Sequence, residues 1–279
     1  EVMRDMFYDG NAAYEKGAVV CRVAPSFLRF GNYQLLAARQ DVETLGKLVN
    51  YTIKHHFSEL GTPSKKTYLQ FFEAVLNSTL EMIVHWQRVG FVHGVMNTDN
   101  TSISGETIDY GPCAFMDNYD PSTVFSSIDR HGRYAFGNQP QIAQWNLASL
   151  AGCLLPLIDN NEDKAKDSVS KIIEGFSGIV NSDISEVMCS KIGLNSNNEK
   201  SRESLKNLLA LMKSSEADYT LAFRYLGDYL NNENEPSFKE LFTNKDEIEH
   251  WLLDWLELIN TDGNSKKRII ETMQTINNI

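Results

Sequence analysis

Basic charge is scarce in this sequence. Lys and Arg number 26 against 37 Asp and Glu, so the net charge is −11. A dedicated nucleic-acid binder needs clustered Lys and Arg to meet phosphates, and an anionic membrane surface needs the same. Both partner classes are therefore not expected. No run of about 18 consecutive apolar residues is present, so no membrane-crossing helix is expected. Cysteine is sparse as well. Cys21, Cys113, Cys153 and Cys189 lie far apart and form no CxxC pair, which argues against a zinc site and a disulfide framework and for a reducing compartment. The opening EVMRDMFYDG has acids where a secretory leader needs basic and apolar residues, so no leader is expected there. The first residue is Glu1, and the reading is of a fragment of a longer protein. No repeat of fixed period occurs.

What is present fits an ordinary globular chain of one large core or two modest domains: 279 residues, 42% hydrophobic and 23% charged. The opening reads as extended, with AVVCRVAP (18–25) as a strand ended by Pro25. FLRFGNYQ follows, with a turn expected at Gly31-Asn32. A helix is predicted from an Asp41 cap to about Phe57, and a long one from a Ser64 cap to a Gly90 stop. His55-His56 at the end of the first suits the helix dipole. From Gln141 onward the chain reads as helical, with Ile142, Trp145, Leu147, Leu150, Leu154 and Leu157 on one face. Further helices are predicted over roughly 163–178, 199–213, 216–230, 244–259 and 265–278.

Between these halves, residues 91–140 are dense in Gly, Pro, Asn, Asp and Ser. A loop of that length inside a compact domain usually carries function. It contains FVHGVMNTDNTSISGETIDYGP (91–112), in which 102–108 suits a short hairpin turning at Gly105-Glu106. Protein kinases place H-R-D-x-x-x-x-N, a hairpin and D-F-G in that order, the Asn and second Asp holding Mg2+. On that template His93 and Asn100 are in register, Asp109-Tyr110-Gly111 takes the D-F-G place, and Val95 stands where the kinase base would be. Valine cannot accept a proton, and Asp99 is the nearest replacement. Spacing alone leaves two readings open, a kinase-like metal site and plain turn chemistry of Asn and Asp.

The blocks CRVAPSFLRFGN, HGVMNTDN, TIDYGP and GRYAF..QP….WNL closely resemble the selenoprotein O family, the YdiU-type proteins. The likeness runs clearly from residue 1 to about 155 and weakly beyond. It implies an α+β, mostly helical, protein-kinase-like fold, mainly its C-lobe, with short strands around the metal loop. The domains it implies are an N-lobe and hinge remnant over 1–35, a C-lobe core over 36–158 and a helical region over 159–279. It implies transfer of AMP from ATP to Ser, Thr or Tyr hydroxyls of protein substrates, with Mg2+ or Mn2+. By motif, Asp99 is the implied proton acceptor. Asn100 and Asp109 are the implied metal ligands, with Asp109 also near the nucleotide. Arg22 and Arg29 are the implied phosphate contacts, although residues alone would make them a surface strand residue and a loop ion pair.

The resemblance also implies a Gly-rich loop, a strand lysine and its glutamate partner upstream of residue 18. None is visible, so the chain is expected to bind ATP weakly and to act little alone. The bacterial cytoplasm is the implied location, or mitochondria in a eukaryote. His93 is expected to bond backbone, Trp145 and Asn146 to brace the loop, Asp129, Arg130, His131 and Arg133 to form a solvated loop, and Cys113 to act as a small hydrophobe.

Overall fold

A computed structural model describes residues 3–8, 11–232, 236–261 and 263–278, the first sixteen positions by backbone alone. Strands β1 (Met3–Tyr8) and β2 (Asn11–Lys16) form an antiparallel hairpin with Met3 opposite Lys16. Helices α1 (Phe30–Ala38), α2 (Val42–His56) and α3 (Lys65–Val89) follow. Two-residue strands β3 (Phe91–Val92) and β4 (Ala114–Phe115) pair antiparallel and bracket the loop between them. The rest is helical: α4 (Gln139–Ile158), α5 (Glu162–Lys191), α6 (Glu199–Ser214), α7 (Tyr219–Asn231), α8 (Ser237–Glu240), α9 (Lys245–Thr261) and α10 (Lys266–Asn277). The class is α+β and mostly helical.

Local chemistry explains the helix ends. The Asp41 carboxylate accepts from Thr44 N at 3.0 Å, and these bonds hold its pKa below the usual range. Ser64 Oγ accepts from Thr67 N at 3.2 Å. Gly90 stops α3 at φ 72°, and a Cβ there would meet the Tyr219 ring at 2.8 Å, so both its handedness and its smallness are used.

Two expectations fail here. Residues 18–25 are irregular rather than a strand. Val19, Val20 and Val23 are almost fully exposed, and a β-branched run becomes a strand only where another strand takes its N–H and C=O groups. Gly31-Asn32 does not turn the chain but lies in the first turn of α1. Asn32 Oδ1 accepts from Arg29 N at 2.8 Å, so the polar residue that reads as a turn signal serves a helix start.

Two apolar cores result. The first joins α1 to α4 and includes Phe30, Tyr33, Phe71, Phe72, Leu147 and Leu150. The second joins α6 to α10 around Tyr219, Phe223, Trp251 and Trp255. Helix α5 belongs to both: Ala165, Val169, Phe176 and Val180 pack in the first, Met188 and Cys189 in the second. Its 30 residues span about 45 Å at the usual helical rise. By length and composition the segment Phe136–Ile158 could cross a membrane, contrary to the expectation from runs alone; half of it is buried inside the fold, with α4 packed on α1, α3 and α5.

Candidate active site

The loop after β3 is pinned from behind by two amides of α4. Gln139, wholly buried, accepts from His93 N at 2.9 Å and donates to Phe91 O at 2.9 Å. Seven residues on, two turns along the same face, Asn146 Nδ2 donates to Met96 O at 3.0 Å and Thr101 Oγ1 at 2.9 Å. Its partner in the expected brace, Trp145, does not share the task. It is half exposed, because it sits one position round the helix, and Arg133 lies 5.0 Å over its ring.

His93 is buried and bonds backbone, as the sequence suggests. Its Nε2 donates to Ile108 O at 2.7 Å and its Nδ1 accepts from Val95 N at 3.3 Å, a pairing that assigns the neutral Nε2–H tautomer. Burial pushes its pKa down, against the Ile108 carbonyl and the Asp109 charge. The ring stacks on Trp86 with centroids 5.3 Å apart. The His93 to Ile108 bond ties the loop of Asn100 to the loop of Asp109.

Asp99 and Asn100 sit in a short 3₁₀ turn, Thr98–Asn100, whose Thr98 hydroxyl is bonded to Gln34 of α1. Asp99 is exposed, and its carboxylate rests on the first turn of α1. A Cβ added to Gly31 would fall 1.8 Å from Asp99 Oδ1. Asn100 Nδ2 donates to Val95 O at 3.1 Å, and no bond among the described residues uses its Oδ1.

The expected hairpin over 102–108 does not form. Ser102 instead bridges to Arg29, with Phe30 N donating to Thr101 O at 3.0 Å and Ile103 N to Leu28 O at 3.1 Å. The Gly105 turn packs tightly on α3, where an added Cβ would lie 2.6 Å from Ser78 O. Arg29 is thereby fastened beside the loop of Asp99 and Asn100.

Asp109 is exposed and holds φ 60°, a left-handed conformation that costs a non-glycine residue of order 1–2 kcal/mol. Arg22, also exposed, donates to Thr107 O at 2.8 Å and lies 5.2 Å over the Tyr110 ring, so it borders Asp109 on both sides. Cys113 Sγ reaches Tyr110 O at 3.5 Å and its side chain packs on the first core. The Asp129 carboxylate closes its own turn by accepting from Arg133 N at 2.9 Å and Tyr134 N at 2.7 Å.

The donor set suits a hard cation. Among the described residues no three His, Cys, Asp or Glu side chains gather. The amide oxygen of Asn100 and the exposed carboxylate of Asp109 are oxygen donors of the kind that a hard cation such as Mg2+ accepts alongside waters and phosphate oxygens. Sequence reading missed Gln139 and Gly31. For Gly31, the signal available was a small residue directly after the Arg29 block.

Comparison with known proteins adds a family. The family model described as protein adenylyltransferase SelO matches residues 3–279. A protein nucleotidyltransferase YdiU of Flavobacterium johnsoniae is 43% identical over 290 residues, covering 99% of this chain and 55% of its own length. That of Maridesulfovibrio salexigens is 47% identical over 264 residues, 94% of this chain and 52% of its own. That of Cereibacter sphaeroides is 44% identical over 252 residues, 90% and 52%. The chain spans about half the length of these relatives. With matched residues running almost from end to end, including both loops and both arginines, the chain belongs to the SelO family.

Proposed function

We propose that this chain carries the metal-binding and proton-accepting part of a protein adenylyltransferase site on a kinase-like C-lobe. The carrying observation is the backbone bridge between Arg29 and Ser102, which joins the arginine block to the loop of Asp99 and Asn100. In this reading the residue offering a phosphate-binding guanidinium and the loop offering a proton-accepting carboxylate share one backbone junction.

In this reading a hydroxyl oxygen of a protein Ser, Thr or Tyr attacks the α-phosphorus of ATP. A P–O bond forms, the bond to the β-phosphate oxygen breaks, and pyrophosphate leaves. Asp99, exposed on its turn, takes the hydroxyl proton. Arg22 and Arg29 hold phosphate oxygens through the fixed fork of guanidinium donors. Asn100 and Asp109 would hold Mg2+ or Mn2+, which would neutralise phosphate charge.

The test is incubation of a full-length family protein containing this chain with ATP labelled at the α or the γ phosphate. Protein labelling from the α position alone is the expected result, and labelling from γ alone would make it a kinase. Val95 at the kinase-base position favours one competing reading, a nucleotide-sensing pseudokinase. Asp99→Ala decides between them: it abolishes transfer and keeps nucleotide binding if Asp99 is the acceptor, and changes nothing in a pseudokinase.

A further inference from the structure

Behind the loops lies a cavity of about 10 Å³, lined among others by Asn100, Thr101, Glu106, Thr107 and Asn146. That volume admits about one water molecule, and a buried water needs two to four polar partners. The walls supply them. Asn146 is wholly buried, both bonds described above use its Nδ2, and among the described residues no donor reaches its Oδ1. A buried amide oxygen without a donor costs as much as a lost hydrogen bond, so a protein retains one where something satisfies it. Thr107 Oγ1 accepts from Trp86 Nε1 at 2.9 Å, and no bond among the described residues uses its proton. One wall thus presents a free acceptor and another a free donor. Glu106 lines the same space and offers an acceptor for a second proton.

We infer that this cavity binds one structural water that accepts from Thr107 and donates to Asn146, and that Asn146 through it is a positioning residue for both loops. The two ends differ in what they carry. Asn146 already holds Met96 O and Thr101 Oγ1, the two sides of the turn bearing Asp99 and Asn100. Thr107 lies two residues before Asp109, and its carbonyl receives Arg22 and the Tyr110 hydroxyl. The water therefore links the Asn100 loop to the Asp109 loop from the buried side, where the His93 to Ile108 bond is the direct link. The consequence for metal binding rests on the function proposed above; the water itself does not.

A crystal structure with resolved solvent gives the direct test. A density peak within hydrogen-bond reach of both Asn146 Oδ1 and Thr107 Oγ1 is expected, and a dry cavity overturns the inference. Unfolding of the 279-residue chain gives a second test through the cycle of Thr107→Val, Asn146→Ala and the double variant. The two side chains share no direct bond, so a shared water predicts coupling of about fivefold in the unfolding equilibrium. Additive effects overturn it. Should Asn146→Ala not fold, Thr107→Val is compared in a Trp86→Phe background, where the hydroxyl has lost its other use. A cost that persists there supports the water, and a silent substitution overturns it. For positioning, Mn2+ affinity read by electron paramagnetic resonance should fall about fivefold in Thr107→Val and hold in Thr107→Ser. Equal affinity in all three overturns the positioning role. A wild-type chain that binds no Mn2+ fails the metal reading instead, and leaves the water to be decided by density and the cycle.

Discussion

At the scale of single residues, Gly31 and Asp109 separate stability from function most cleanly. Gly31 lies in a helical first turn, where alanine normally gains up to about 1 kcal/mol over glycine. Its Cβ would nevertheless fall on Asp99 Oδ1. Gly31→Ala should therefore hold or raise the melting temperature of the chain and, on the function proposed above, abolish AMP transfer in a full-length protein. Transfer at the original rate would mean that Asp99 need not rest where it does. Asp109 sits at φ 60°, which glycine adopts freely. Asp109→Gly should leave unfolding unchanged or stabilise by up to about 1 kcal/mol and, on the function proposed above, lose Mn2+ binding, as followed by paired melts and metal titration. Asp109→Asn, which tolerates the same backbone, should weaken the metal without the gain in stability.

At the scale of elements, α4 works as a rail with two buried amides. Gln139→Leu removes the partner that His93 N and Phe91 O have among the described residues and leaves both groups buried and unpaired. A loss of about 3 kcal/mol in urea unfolding is expected, with the His93 ring resonance shifted in NMR. A loss under about 0.5 kcal/mol would show that water replaces the amide without cost. This scale also shows what a sequence can reveal. The caps at Asp41, Ser64 and Gly90 were legible because capping chemistry is local to three or four residues. The strand expected at 18–25 and the hairpin expected at 102–108 fail because a strand is defined by its partner, and Ser102 finds its partner in Arg29. Asp99, Asn100 and Asp109 stood out by spacing, whereas Arg22 and Arg29 were visible only through family likeness. The work of Gln139 spans 46 to 48 residues of sequence, and no local pattern announces it, whereas Asn146 is expected as a brace and serves as one.

At the scale of the whole molecule, the second core encloses an unusual charge. Lys191, at the end of α5, is 1% exposed, with its ammonium 4.4 Å from the Phe223 ring centre and 5.4 Å from that of Tyr219. Burial, helped by the nearby Arg88 guanidinium, lowers its pKa to about 7. The unfolded chain keeps the ordinary lysine value and so binds more protons between about pH 7 and 10.5. Stability should accordingly rise with pH across that window, by roughly 2–4 kcal/mol. Lys191→Met should flatten the slope and stabilise the chain near pH 7 by about 1–3 kcal/mol, as measured by denaturant unfolding at stepped pH. A slope unchanged by the substitution would assign the dependence elsewhere.

Helix α5 has a bearing on how this molecule comes apart. Because its first half fills one core and its end fills the other, neither core keeps a complete wall once α5 melts. Heat should produce a single calorimetric peak, and the slowest-exchanging amides of both halves should report one common opening. A chain cut after residue 158 would present to solvent the apolar trough that Ala165, Val169, Phe176 and Val180 now fill, and would self-associate through it.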